Sequence, residues 1–302
     1  MESETPTESE ASKESEARRG PEANTPGLEG SVWLDGEVLD AATARISPFD
    51  HGITVGDGIF ETVKVIGSVP FAMRRHLVRL ERSASALGLE APDHDTVRAA
   101  ADEVIAANGM ADCRLRITLT GGRGPLGSNR GDHGTTLLLA VSELTPMPAS
   151  TDVCTVDWVR NERGALSGVK STSYAENVIA LGYAIERGAS EAIFANTVGN
   201  LCEGTGSNIF VGIDGRLVTP PLSAGPLAGI VRELVLEVTD AVEEDLPFSA
   251  LLDADEAFLT SSIRDVQAIR AIDGIAAREC PGPLTAEAAA ALSELMRQDL
   301  DP

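Results

Sequence analysis

The chain has 302 residues, 24 Lys+Arg against 47 Asp+Glu for a formal charge of −23, and 43% hydrophobic residues. That length suits one large domain or two ordinary ones and the apolar content suits a real core, while so negative a chain repels phosphates, which argues against nucleic acid as a partner. No apolar run nears the roughly 20 residues that a bilayer crossing needs, no basic N-terminus leads into an apolar stretch, and the four cysteines form no CxxC pair, so the expectation is a cytoplasmic protein with no membrane contact, disulfide framework or metal site.

Residues 1–29 are rich in Glu, Ser, Thr and Pro with almost nothing to bury, which predicts a disordered acidic tail. Short apolar runs flank Asp35-Gly36, a hairpin signature. A second hairpin is expected over 57–71, turning at Gly67-Ser68. Met73, Leu77, Leu80, Ala84 and Leu87 recur at spacings of three and four, predicting an amphipathic helix over 73–89 that stops at Gly88. Another helix is expected over 96–109, ending at Asn108-Gly109. CRLRITLTG and TTLLLAVSEL read as strands on either side of a glycine-rich loop. Residues 30–145 then form a small N-terminal α+β domain, and the proline-containing stretch 146–150 reads as a linker. Residues 151–302 form a larger domain: strand CTVDWV, an irregular stretch to Lys170, a helix over SYAENVIALGYAIERG, strands EAIFANT, NIFVGID and RLVTPP, a helix from near Leu227, and strand–turn–strand over 257–269. Hairpins beside helices imply mixed rather than all-parallel sheets.

Only three residues of the chain are lysines: Lys13, Lys64 and Lys170. A lysine near apolar and polarising groups has a lowered pKa and can form a Schiff base. Lys13 lies in the tail and Lys64 on a strand of outward phase. Lys170, flanked by hydroxyls in SGVKSTSYAENV and placed before a helix, is the remaining candidate, with an ordinary surface lysine as the alternative. Other chemistry is weakly signalled. Gly168-Val169-Lys170 misses the Walker spacing, there is no G-x-S-x-G elbow, and His51, His76, His94 and His133 show no metal-ligand spacing. His51 and His133 stand in loops where a general base could sit.

Residues 203–232, EGTGSNIFVGIDGRLVTPPLSAGPLAGIVR, place a Glu before small residues, then Asn-Ile-Phe, Leu-Val-Thr and Leu-x-Gly-Ile-x-Arg. This stretch resembles the signature of the class IV aminotransferases, the fold-type IV pyridoxal-phosphate enzymes. Flanking segments fall in that family's order: Asp57 to Thr62, His76-Leu77 with Arg79-Leu80, Lys170 with Tyr174 and Asn177, and Thr260-Ser261-Ser262. The resemblance covers all but the tail. It implies an α+β, fold-type IV architecture, a small α/β domain followed by a larger one with a mixed sheet or barrel and helices, and a homodimer. It also implies pyridoxal 5'-phosphate (PLP) as cofactor. Lys170 would hold it as a Schiff base and then move the proton at the substrate α-carbon. Glu203 would pair with the pyridine nitrogen. Arg79 would grip the phosphate, together with the backbone amides of Ile230 and Val231 at a helix N-terminus and the hydroxyls of Ser262 and Ser261. Tyr174 would lie near the phenolic oxygen or line the site. One departure stands out: the family usually has Thr where this chain has Val231, which removes a hydroxyl and predicts weaker phosphate binding.

Three activities share that scaffold. The loop TGGRGPLG looks like that of the lyases that split 4-amino-4-deoxychorismate into 4-aminobenzoate and pyruvate, and Arg123 in it could meet a substrate carboxylate. D-amino-acid transaminases show an Arg-x-His trap in this loop and Tyr in place of Phe60, and Gly56-Asp57-Gly58 departs from the branched-chain pattern. The resemblance therefore favours the lyase, with Phe60 and Arg123 at the substrate. A transaminase of D-amino acids, or of broad or branched-chain scope, is the alternative. A relative that binds a ligand without turnover is disfavoured, because Lys170 and Glu203 are both retained.

Overall fold

The computed structural model describes residues 30–302, and the tail expected over 1–29 lies outside them. The first half builds β1 (Ser31–Leu34), β2 (Glu37–Asp40), α1 (His51–Thr54), β3 (Gly58–Ile66), β4 (Val69–Pro70), α2 (Met73–Leu87), α3 (His94–Asn108), β5 (Cys113–Thr120) and β6 (Thr136–Glu143). The strands pair in the order β2-β1-β6-β5-β3-β4, antiparallel throughout. Both expected hairpins form, and Gly88 and Gly109 end their helices in the left-handed conformation. Helix α3 starts at His94 rather than 96 because Asp93 accepts the Thr96 N–H at 2.9 Å.

Alternation along β5 decides which face each side chain takes. Cys113, Leu115, Ile117 and Leu119 are buried, while Arg114 and Arg116 are exposed. The register Ile59↔Leu119 and Glu61↔Ile117 puts Ile59, Glu61 and Val63 on the face packed against α2 and α3, and Phe60, Thr62 and Lys64 on the other.

The second half builds β7 (Ser150–Arg160), α4 (Ala175–Glu186), β8 (Glu191–Asn196), β9 (Leu201–Gly204), β10 (Asn208–Ile213), β11 (Arg216–Thr219), α5 (Ile230–Val238), β12 (Val242–Glu243), α6 (Ala250–Asp253), β13 (Glu256–Ser261), β14 (Asp265–Ile272), β15 (Ile275–Ala276) and α7 (Pro283–Gln298). The sheet runs β12-β11-β10-β13-β14-β7-β8-β9, with β15 on β14. It is mixed, as expected: β7 is parallel to β8 and β14, and β11 to β12. Helix α4 supplies the crossover that a β7–β8 parallel pair requires. Phe210 stacks on Phe258 at 4.9 Å, and both pack with Ile230, Val231 and Leu234, which seats α5 on that face. No helix of the described residues is long and apolar enough to cross a membrane.

Beyond the start of α3, several features differ from the sequence expectation, among them the short elements α1, β12, α6 and β15, which hold too few residues to show a period. Strand β9 was not anticipated: four residues, one of them Glu and one Gly, are too few to show alternation. Neither was α7, although Pro283 in its first turn and buried Thr285, Ala288 and Leu292 on one face mark it. Lys64 does point to the face away from the helices, but that face is covered: Lys64 is 8% exposed and pairs with Asp265 at the start of β14 at 2.5 Å.

Candidate active site

The segment after β7 is stitched to the start of β3. The Lys170 carbonyl accepts the Phe60 N–H at 2.9 Å, and the Thr172 N–H donates to the Gly58 carbonyl at 2.8 Å. Gly58 permits this approach, because a Cβ there would lie 3.0 Å from Thr172 Oγ1 on one side and 2.8 Å from the Leu119 carbonyl oxygen on the other. Lys170 Nζ consequently sits 4.4 Å from the centre of the Phe60 ring. The amine, half-buried, is lowered to about 8, first by burial and then by the Arg79 and Arg116 cations, against the pull of Glu61 and Glu203.

Glu61, on the opposite face of β3, is fully buried and gathers two residues of α2. It accepts from Arg79 Nε and Nη2 at 2.8 and 2.6 Å, and from His76 Nδ1 at 2.7 Å. His76 and Arg79 are three apart and share one helix face. Burial alone would raise the Glu61 carboxyl, but Arg79 and His76 hold it far below the ordinary carboxylate range. Burial lowers His76, against the pull of Glu61, and its Nε2 lies 3.4 Å from Ser262 Oγ. The third Arg79 nitrogen donates to the Ala228 carbonyl at 2.7 Å, so the guanidinium lies beneath the entry to α5. That entry is held from the sheet side: Asn208 Nδ2 donates to the Leu227 carbonyl at 2.8 Å, and the Leu227 N–H donates to Glu203 Oε2 at 2.9 Å.

Glu203 projects from β9 and faces Arg160, whose Nε lies 3.2 Å from Oε1. Burial raises its carboxyl, opposed by Arg160, the Leu227 amide and Lys170. Tyr174 meets the edge of Phe60 at 5.4 Å and donates its hydroxyl to the Thr205 carbonyl at 2.8 Å. Lys170, Arg79, Tyr174, Glu203, Ile230, Val231, Ser261 and Ser262 all line one cavity of about 790 Å³. The structure thus brings these eight residues together, while Phe60 is not among the residues that line the cavity. Ser261 is partly committed, since its Oγ accepts the Arg264 N–H at 3.1 Å.

Arg123 does not join them. It is exposed, outside the cavity lining, its backbone bridged to Asp50. His51 is buried with Nε2 at 3.0 Å from the Pro125 carbonyl and His133 is exposed; neither lines the cavity. The sequence reading missed Arg116. Its guanidinium lies 3.4 Å over the Phe60 ring, and among the described residues it has no acid partner, only Thr118 Oγ1 at 3.3 Å. Crowding lowers it to about 10, which leaves it a cation at neutral pH. The polar phase of β5 was the signal for it. Glu61 and His76 were noticed only as parts of a motif.

Residues 58–272 match the family described as amino-transferase class IV, and the chain belongs to that family. It is 32% identical over 253 residues to a Methanocaldococcus jannaschii protein carrying a branched-chain-amino-acid aminotransferase name, covering 80% of this chain and 88% of the relative. It is 27% identical over 281 residues to the aminodeoxychorismate lyase of Bacillus subtilis, covering 89% and 94%. The branched-chain aminotransferase of Thermoproteus uzoniensis, solved with norvaline, superposes with a TM-score of 0.83 at 28% identity, covering 88% and 94%. The chain is therefore a fold-type IV, PLP-dependent enzyme of the aminotransferase–lyase group.

The donor set suits that cofactor. Lys170 has no acid partner among the described residues, and a helix N-terminus, a buried arginine and serine hydroxyls converge at one end of the cavity. Only the neutral amine attacks an aldehyde. The rate at which cofactor-free protein takes up PLP should therefore climb with pH and level off above about 8, read from stopped-flow absorbance; a midpoint near that of an ordinary lysine would contradict the assigned environment. The unfolded chain holds this proton more tightly. The stability cost of the lowered pKa is thus full below about 8 and relieved as pH rises towards the ordinary lysine value.

Proposed function

We propose that the enzyme cleaves 4-amino-4-deoxychorismate to 4-aminobenzoate and pyruvate. The observation that carries this reading is the acid-free Arg116 cation stacked on Phe60, the ring that Lys170 also faces. A cation there receives a substrate carboxylate and brings the amine-bearing carbon towards Lys170. Arg114 follows on the same strand face, exposed, and the two suit a substrate with two carboxylates. The wall next to Lys170, from Ser171 to Tyr174, is hydroxylated rather than aliphatic, which suits a polar ring better than a branched alkyl chain. Neither Arg123 nor Arg116 lines the cavity, but Arg116 stands on the ring beside Lys170, so in this reading the carboxylate role expected for Arg123 passes to Arg116.

When bound, PLP supplies an electron sink for the carbanion at the amine-bearing carbon. The chain's residues do the rest. Lys170 takes the proton from that carbon. The bond from the ring to the enolpyruvyl oxygen would then break, its electron pair leaving with enolpyruvate, which becomes pyruvate on taking a proton such as the one Lys170 carries, and the ring becomes aromatic. Glu203 would pair with the pyridine nitrogen and keep it protonated. Arg79, Ser262 and the amides of Ile230 and Val231 would hold the phosphate, with Tyr174 and Phe60 near the ring. Two domains, 30–145 and 151–302, frame the cavity. A homodimer belongs to this reading: Val178, Ile179 and Ile185 leave one side of α4 apolar and exposed, as are Ile53 and Val55 beside the cavity, the kind of surface that a second copy covers.

A transaminase is the second reading, favoured by the 32% identity to the Methanocaldococcus jannaschii protein. Incubation with aminodeoxychorismate should release 4-aminobenzoate and pyruvate in equal amounts. Arg116→Ala should lower kcat/KM roughly tenfold to a hundredfold, the size expected when a charged hydrogen bond is lost. Absence of 4-aminobenzoate, with a 2-oxo acid formed from D-alanine or a branched-chain amino acid plus 2-oxoglutarate, would replace the lyase reading by the transaminase one.

A further inference from the structure

Thr260 is 1% exposed, and its Oγ1 is buried with no hydrogen-bond partner among the described residues. Native interiors keep few such groups, because a buried hydroxyl that has lost water and gained nothing is costly. Its position is informative. The β10–β13 register sets Asn208 opposite Thr260 and Phe210 opposite Phe258, two residues apart along one face. Phe210 and Phe258 pack against Ile230 and Val231 of α5. Asn208 and Thr260 therefore end that row beneath the first turn of the helix, where Asn208 is tied to the Leu227 carbonyl. Thr260 lines the same cavity as Arg79, Ile230 and Val231. The first turn of α5 has no side-chain cap, and Val231 brings methyl groups where it could have brought a donor.

We propose that the Thr260 hydroxyl is a ligand of the cofactor's phosphate, donated from the sheet to the mouth of α5. This rests on the reading of that end of the cavity as the phosphate seat. The Oγ1 has almost no open surface, so a turn of the Thr260 side chain about χ1, with the strand left in place, presents the hydroxyl to a phosphate oxygen and pairs a group otherwise left without a partner.

The test compares PLP with pyridoxal, which lacks the phosphate, on cofactor-free full-length protein. Thr260→Val keeps the shape and should weaken PLP about tenfold or more while leaving pyridoxal unchanged. Thr260→Ser should bind PLP close to wild type. The melting temperature of cofactor-free Thr260→Val should equal or exceed that of wild type, since no protein hydrogen bond is lost. Unchanged PLP affinity in Thr260→Val, an equal loss for PLP and pyridoxal, or a lowered melting temperature would each overturn the proposal. Arg79→Ala separates the two levels: if that variant keeps wild-type PLP affinity, the phosphate seat itself is misplaced, whatever Thr260 does.

Discussion

Lys170→Ala loses turnover by at least about 10⁴-fold, because general-base help alone is worth on the order of 10²–10⁴ and the covalent attachment goes with it. The purified variant is colourless, where the wild-type protein with PLP is yellow. The loss is specific to the amine. Lys170 contributes its backbone carbonyl to Phe60, a bond that alanine keeps, and removing a half-buried cation relieves the desolvation that lowers its pKa. The melting temperature of the cofactor-free variant should accordingly hold or rise. An unfolded variant would mean that Lys170 serves packing, and a yellow, active one would place the Schiff base elsewhere.

Glu203→Gln gives the second large effect. The amide still accepts the Leu227 N–H, so the entry to α5 stays in place, but the charge proposed to pair with the pyridine nitrogen is gone. A kcat loss of roughly 10²–10³ is expected, the size seen when one electrostatic partner of a developing charge is removed, with KM changed far less. Glu203→Ala also drops the Leu227 contact and leaves Arg160 with only Glu176, at 3.5 Å, so its melting temperature should fall below that of Glu203→Gln. Equal kcat in wild type and Glu203→Gln would remove Glu203 from the chemistry.

The motif residues were legible because their spacing is strict. Lys170, Glu203 and Arg79 come from three separate stretches, yet the structure brings them to one cavity. The six-stranded sheet was legible through the alternation of β5 and the stop signals at Gly88 and Gly109. What escaped depends on neighbours distant in sequence. Lys64 has the phase of an exposed residue and becomes buried only because Asp265, 201 residues later, meets it. Glu61 lies in a strand as a lone acid, and only α2 supplies the arginine and histidine that make its burial tolerable. Arg116 and Arg123 lie in neighbouring stretches of the same hairpin and neither lines the cavity, but strand register sets the first over Phe60, the ring beside Lys170, and leaves the second in the loop beyond. A glycine-rich loop carries no such register.

The most direct test uses the chain's small number of lysines. Reduction of the PLP-loaded enzyme with borohydride, followed by proteolysis and mass spectrometry, fixes the cofactor on the residue that holds it, and the chain offers only Lys13, Lys64 and Lys170. The pyridoxyl mass should appear on the peptide containing Lys170 alone, at one per chain. Its appearance on the Lys64 peptide, or on no peptide of a protein that turns over substrate, would contradict the account.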